Sequence, residues 1–413
     1  MSAFSIPLSG LAATSSSLNV IANNLANLNT DGYKDQSLSF ASVFDGVAAT
    51  SGNGDPVQMG NGVETDGTVS NFANGNINDT GIASNMALQG NGFFVVQSSS
   101  GVNSFTRAGD FTVDAQGQLT TPQGQLVMGY PATAGVVSTS SALVPIVVNA
   151  ANNIPASATT TFQMNTNLDA TAAVGASYSA PITVYDSLGE SHTLTVNYVN
   201  TAANAWTYSI SIPAADQGGT GAPVVMKTGA MTFNSSGELT APTGAVAGIA
   251  INGLADGAAN MTLSWNLAGS NGSSAVTQQA GTSATSATSQ NGFATGSLTG
   301  YSILPDGTVQ GQFTNNQSLA LGQVALASFA NNEGLTQTGN SDYQASFASG
   351  AAVIGLAGTA GRGTITGGAV EGSNVNLSTE FANMIVAQQG YEANAKVLTT
   401  LDQVSQATLA VIQ

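Results

Sequence analysis

Apolar residues recur at heptad spacing at both ends of this chain, which demands that the two ends either find each other or be covered separately. At the C-terminal end, Asn374 to Gln413, the helix breakers that crowd the rest of the sequence nearly vanish. Leu377, Phe381, Met384, Gln388, Tyr391, Ala395 and Leu398 follow one another at spacings of 4, 3, 4, 3, 4 and 3. That is one face of a helix, interrupted once by Gln388 and joined by Ile385. Past Leu398 the line steps sideways to Leu401 and Val404, as a stutter makes it do. Asn376 is placed to cap the helix, and Glu380 falls in the first turn, where the dipole favours an anion. Fully helical, the segment is on the order of 50 Å long. At the other end Phe4, Leu8, Leu11, Ser15, Leu18, Ala22, Leu25 and Asn29 run at 4, 3, 4, 3, 4, 3 and 4, with Ile21 and Leu28 widening the face. Asn29-Thr30-Asp31-Gly32 then supplies a stop. Periodicity leaves two readings open: an antiparallel pair made by the two ends, or two separate amphipathic helices laid on the body between them.

That body is read in order. Residues 31–71 are rich in Gly, Asp and Ser but keep apolar anchors (Leu38, Phe40, Val43, Val63), more than a flexible linker carries. They are expected to form an extended connector. From about Phe72 short strand candidates take over: 92–96, 105–107, 111–113 and 125–128, separated by turn chemistry, with 143–149 ending the block. A second block, 151–296, alternates cleanly over 182–185, 192–198, 206–212 and 261–265, which predicts an antiparallel sandwich or barrel. Residues 270–290 read as a low-complexity return path. Strands resume at 300–304 and continue the first block. The expected organisation is therefore nested: helices 1–30 and 375–413 outermost in sequence, a β domain of 72–150 plus 297–370 inside them, and a β domain of 151–296 inside that. The fold class is mainly β with an α-helical terminal domain, the two terminal helices pairing as a coiled-coil-like layer and enclosing two nested β-sandwich or barrel domains.

Composition narrows the functions such a chain can serve. Among 413 residues, 5 Lys and Arg face 22 Asp and Glu, a net charge of -17, so the basic footprint of a nucleic-acid binder is missing. Charged residues make up only 7%, while 42% are apolar, which argues for folded cores under an exterior of amides and hydroxyls. Without cysteine there are neither disulfides nor thiolate metal sites. No apolar run of about 18 residues is present to span a bilayer, and the start lacks the basic n-region of a cleaved signal peptide.

Catalytic chemistry finds no foothold. His192 is the single histidine, so any triad must use it. Its neighbours Asp186, Ser187 and Glu190 read as a hairpin turn followed by an outward-facing strand residue. A lone histidine also leaves a transition metal with only carboxylates for company, so no metal site is expected. Gly358-Thr-Ala-Gly-Arg-Gly363-Thr364 nearly matches a phosphate-binding loop but lacks its lysine, and reads as a connection between strands. Asp110, Asp114 and Asp306 fall in strand turns without calcium-loop spacing. No enzyme activity and no cofactor are expected.

The two ends carry a further signal. SGLAATSSSLNVIANNLANLNTDGYK resembles the N-terminal signature of the bacterial flagellar rod and hook axial family, and EGSNVNLSTEFANMIVAQQGYEANAKVLTTLDQV resembles its C-terminal signature. In the body, MALQGNGFFVV, SFTRAGDFTVDAQGQLTTPQGQLVMGYP and ITVYDSLGESHTLTVNYV resemble the hook branch of that family. The likeness covers most of the chain and thins between about 217 and 290. It implies a structural subunit of the flagellar hook that assembles with copies of itself. Implied partners are the rod, the hook cap, the hook–filament junction and the flagellar export apparatus. The implied location is the extracellular flagellum, reached without a cleaved signal peptide. The self-assembly residues it points to are Phe4, Leu8, Leu11, Leu18, Ile21, Leu25 and Leu28 at one end. Leu377, Phe381, Met384, Ile385, Tyr391, Leu398, Leu401 and Val404 serve at the other. The alternatives are a distal rod or other axial subunit, which shares both end signatures, and a surface adhesin or sheath protein, which shares only the charge-poor β body.

Overall fold

The computed structural model describes residues 4–50, 56–149, 153–269 and 272–412. The middle of the expected connector, the boundary expected at 150–151 and residues 270–271 of the expected return path lie outside them. A long helix stands at each end, α1 (Ser5–Ala26) and α2 (Leu377–Ile412), and strands make up most of what lies between. The chain divides into two compact units, one formed by residues 1–149, 300–311 and 318–413, the other by 150–299 and 312–317. Residues 312–317, which sequence placed with the first β block, thus belong to the second unit. Among the described residues the sheets are open, and none closes into a barrel. No described helix is long and apolar enough to cross a membrane.

In the first unit α1 and α2 lie antiparallel. A Cβ built on Gly10 would come within 2.8 Å of Asn394, and one on Gly390 within 3.3 Å of Thr14. Small residues let the two backbones approach that closely. Asn376 caps α2 as its sequence position predicts, its Oδ1 accepting from the Ser378 and Thr379 N–H groups at 3.0 and 3.2 Å. The connector is a two-stranded antiparallel ribbon of Gln36–Thr50 and Pro56–Ser70, irregular at several bulges. It is fastened to α1 where the Val63 N–H donates to Ser9 Oγ at 3.2 Å.

The β body of this unit is built round Phe93–Gln97, which pairs with 103–106, with 126–137 and with 326–328. The run Phe93-Phe94-Val95-Val96 is apolar at consecutive positions, as a strand covered on both faces requires, and all four side chains are fully buried. Phe94 and Val96 join Phe111, Leu119, Val127 and Leu326 on one side. Phe93 and Val95 join Phe105 and Tyr343 on the other.

The second unit is a sandwich. One sheet is a meander of 177–185, 191–202, 205–212, 224–233 and 239–241, antiparallel throughout. The other is mixed: Thr161–Asp169 runs parallel to 261–266 and 276–279 and antiparallel to 284–290. Leu194, Val196, Tyr198, Trp206 and Ile210 from the first sheet meet Phe162, Met164, Leu263 and Trp265 from the second. Phe162 and Trp265 stack with centroids 6.0 Å apart and planes 5° from parallel.

Two expectations fail in this unit. The segment expected as a return path contributes two strands, because its alternating Thr, Ser and Ala satisfy a backbone ladder and Val276 supplies a buried anchor. His192 does not face outward; it is 6% exposed. It stands in phase with Leu194, Val196 and Tyr198 on a strand of strict period two, so it shares their core-facing side.

Truncating the stacked indole, Trp265→Ala, should cost about 3–5 kcal/mol through lost burial and a residual cavity. Calorimetry of the full chain should show the loss in the transition of the second unit. A change under about 1 kcal/mol would mean that the two sheets do not share this core.

Candidate assembly surface

The stop after α1 aims the chain at the foot of α2. Gly32 sits at φ +67°, and a Cβ there would meet the Ala108 nitrogen at 2.3 Å, so glycine alone fits. Its N–H donates to the Glu371 carbonyl at 2.7 Å. Lys34 then turns inward, its Nζ 2.7 Å from Glu371 Oε1 with both side chains fully buried. Arg107 Nη1 reaches Glu371 Oε2 at 3.3 Å. Two of the chain's five basic residues therefore converge on one carboxylate out of water. Lys34 also donates to the Ala73 carbonyl at 2.9 Å, and the Gly75 N–H donates to Glu371 Oε1 at 2.8 Å. Arg107 Nη2 donates to the Gly90 carbonyl at 2.8 Å, and the guanidinium carbon lies 5.3 Å from the centre of the Phe93 ring. Burial lowers the Lys34 and Arg107 pKa values, and the Glu371 charge opposes that shift in both.

A second knot centres on Asn24, a buried amide on α1. Its Nδ2 donates to Asp35 Oδ1 at 2.7 Å, to the Gln36 carbonyl at 2.8 Å and to Glu380 Oε2 at 3.2 Å. Its Oδ1 accepts from the Tyr33 hydroxyl at 3.0 Å and the Gln36 N–H at 3.1 Å. One side chain thus ties α1 to α2 and to the start of the ribbon. Glu380, placed by sequence at the dipole, is buried here and does this second job as well. Burial, then the Glu380 charge, raise the Asp35 carboxyl above its ordinary 3.8. Burial, with Asp35 and Glu380 adding, pushes the Tyr33 phenol up to about 12.

Above this joint the heptad lines of the sequence only partly meet. The side of α1 that is buried within the chain carries Pro7, Ala13, Ile21 and Asn24, and on α2 it carries Glu380 and Ala387. The larger apolar residues sit to the flank. Leu8 is 59% exposed, Phe381 49%, Ile385 55% and Val404 57%, and Leu377 and Tyr391 are exposed as well. Phe4, Leu11, Leu18, Leu25, Leu28, Met384, Leu398 and Leu401 are half-buried. Ile21 is the exception, already covered inside the chain. Sequence periodicity missed Ile6 and Val386, both strongly exposed beside these lines. From Asp402 to Ala410 every residue of α2 is exposed.

Arg362 of the glycine-rich loop spends its guanidinium inward, donating to the Leu356 carbonyl at 3.1 Å and to Thr359 Oγ1 at 3.1 Å.

Comparison with known proteins covers nearly the whole chain. Residues 6–34 match the family described as flagella basal body rod protein, and residues 366–411 match the flagellar basal body rod FlgEFG protein C-terminal family. Between them, 87–172 match the flagellar hook protein FlgE/F/G D1 domain and 148–293 the flagellar basal body protein FlaE D2 domain. The flagellar hook protein FlgE of Salmonella typhimurium is 37% identical over 97% of this chain and 98% of its own length. That of Treponema pallidum is 31% identical over 96% of each. The solved Helicobacter pylori flagellar hook protein FlgE2 shares the fold, with a TM-score of 0.54 at 15% identity over 70% of this chain and 98% of that one.

Glu371→Gln keeps the shape of the buried cluster but strands two cations, and should destabilise the first unit by about 3–5 kcal/mol. Denaturant unfolding measures it, and a loss below about 1 kcal/mol would show that the cations find other partners. Asp35 offers a pH test. Its folded-state pKa is raised, so its contribution is fully present below the ordinary carboxyl range and is lost as pH rises through the raised value. Asp35→Asn should therefore be more stable than the parent at neutral pH, with the advantage shrinking on acidification. An advantage that grows on acidification would contradict that sign.

Proposed function

Because the chain belongs to the bacterial flagellar hook protein family, as a structural subunit of the hook and not an enzyme, we propose that the exposed apolar flanks of α1 and α2 are the surface through which its copies polymerise. The observation that carries this reading is that the helices are already paired, yet Leu8, Leu377, Phe381, Ile385, Tyr391 and Val404 stay open to water. A line of large apolar side chains repeated in every subunit is covered when another subunit's helices lie against it. Phe4, Leu11, Leu18, Leu25, Leu28, Met384, Leu398 and Leu401 complete the contact from the half-buried edge. Ile21 serves inside the pair instead. A rod or adhesin identity is not favoured, since hook relatives match along nearly the entire length.

The division of labour follows four parts. Residues 1–30 with 375–413 form the inner helical layer of a tube that encloses the export channel. Residues 31–71 form a connector, 72–150 with 297–370 form one β domain, and 151–296 form a second, inserted in it in sequence. With charged residues at only 7% of the chain, the β surfaces meet through amides, hydroxyls and water. Such contacts break and re-form at small cost as the tube turns. Rod, cap and hook–filament junction proteins bound the polymer at its two ends. The subunit reaches the extracellular flagellum through the export apparatus without a cleaved signal peptide.

Assembly and folding should come apart on mutation. Leu8→Asp and Phe381→Asp each put a carboxylate where a neighbour's apolar side chain belongs, forfeiting roughly 1.5–3 kcal/mol of burial per contact and adding a charge penalty. Repeated along a tube, either change should abolish polymer. Sedimentation and electron microscopy of assembled samples read that outcome, and thermal unfolding of the monomer should stay within about 0.5 kcal/mol of the parent. Normal tubes from both variants would remove these flanks from the interface.

A further inference from the structure

The single histidine stands in a constellation that its sequence neighbours conceal. His192 Nδ1 lies 2.9 Å from Asp216 Oδ2. A carboxylate only accepts, so this contact places a ring hydrogen on Nδ1 and turns Nε2 to the other side of the ring. On that side stand Asp186 Oδ2 at 3.4 Å and Asp256 Oδ2 at 3.9 Å, and the three ligand atoms all lie within 4.8 Å of one another. Three ligand atoms thus converge from a strand, a turn and a distant loop. His192 is 6% exposed and Asp186 not at all.

The outer oxygens of this set are already taken. Asp186 Oδ1 accepts from the Leu188 and Glu190 N–H groups, each at 2.9 Å, and Asp256 Oδ1 accepts from the Ala258 N–H at 3.0 Å. Each carboxylate is therefore held by one oxygen with the other turned inward. The Asp256 loop is itself fastened on two sides. The Ala255 N–H donates to the Asp216 carbonyl at 2.9 Å and the Ala259 N–H to Ser187 Oγ at 2.9 Å. Spacing separates the two ways of satisfying this set, a doubly protonated ring or a cation. Charge-assisted hydrogen bonds close to about 2.7–2.9 Å, and the Nδ1 contact does so. The Nε2 contacts do not. Donors round a tetrahedral divalent ion with bonds of about 2.0–2.1 Å stand roughly 3.4 Å apart, and the two Nε2 separations are 3.4 and 3.9 Å.

We propose that His192 Nε2, Asp186 Oδ2 and Asp256 Oδ2 form a binding site for one divalent transition cation of the zinc type, with Asp216 as the outer residue that orients the ring. The ligand set, one imidazole and two carboxylates, suits a borderline ion, and a carboxylate behind the imidazole is the usual support for such a ligand. The ion bridges the turn after the strand 177–185 to the loop at 256, locking the edge of the second unit. The absence of a metal site expected from sequence rested on a lone histidine with only carboxylates for company; the fold brings Asp186 and Asp256 together on one side of that ring and Asp216 behind it.

The test uses the full-length chain stripped with chelator. Isothermal titration with Zn²⁺ should give one ion per chain, Co²⁺ should give the visible d–d bands of a tetrahedral site, and saturating Zn²⁺ should raise the melting transition of the second unit. His192→Gln and Asp256→Asn should each weaken binding at least about tenfold, and Asp216→Asn about 10–100-fold. Asp186 is left intact, because its other oxygen holds the turn. Failure of Zn²⁺ and Co²⁺ to bind the parent overturns the proposal. So does binding that His192→Gln and Asp256→Asn, folded by circular dichroism, leave unchanged. A ring whose ¹⁵N shifts show both nitrogens protonated at neutral pH, undisplaced by Zn²⁺, overturns it too.

Discussion

Three charges that never see water hold this molecule in register. Lys34, Arg107 and Glu371 come from the stretch after α1, from the β body and from the stretch before α2, and Lys34 and Glu371 are 337 residues apart. Removing ions from water costs several kcal/mol each, which a cluster offsets only when the geometry is good and the remaining hydrogen bonds are made. The cluster is therefore a poor source of net stability and a strong selector of arrangement. Any other placement of the chain ends leaves a buried charge alone. The Asn24 knot repeats the logic with a neutral amide, so that α1, the ribbon and α2 are fixed together at one joint.

What rises from that joint is deliberately incomplete as a fold. Gly10, Ala13, Thr14, Ala387 and Gly390 let the helices touch, but small side chains bury little apolar area, and each Å² is worth only about 25 cal/mol. The large side chains lie on the flanks, where a single chain cannot cover them. A hook subunit has a use for this imbalance. If copies pack on these flanks, as proposed, the helical layer gains burial from neighbours, and order in this layer is coupled to polymerisation. The β units do not share the dependence, since each encloses its own aromatic-rich core.

Legibility in the sequence followed the range of the interactions. Terminal helices, the Asn376 cap, the turn at Asn29 to Gly32 and the alternating strands of 177–212 rest on neighbours within a few residues, and all could be read. The candidate seam residues fall on those two helices, but their division between the internal pair and the outer flank could not be read. The heptad template marks a face about the width of one seam, and it has no means of saying which of two adjoining faces a partner will cover. His192 was misread for a different reason. Its phase with Leu194 and Val196 was available, but a titratable residue after a turn was assigned to the surface by type.

By itself, then, the chain's amino-acid order determined that there would be two helices, many short strands and no local catalytic cluster, because periodicity, caps and turn residues act over one or two turns of backbone. It also carried both end signatures, whose Tyr33-Lys34 and Glu371 lie at the joint. Tertiary structure alone decided how those pieces were spent. It brought one carboxylate to two cations across the whole chain and turned a presumed loop at 276–290 into two strands of a sheet. It also drew Asp216 and Asp256 to a histidine they do not neighbour in sequence. Contacts of that kind depend on where the backbone has been carried by everything else, and no local rule contains that information.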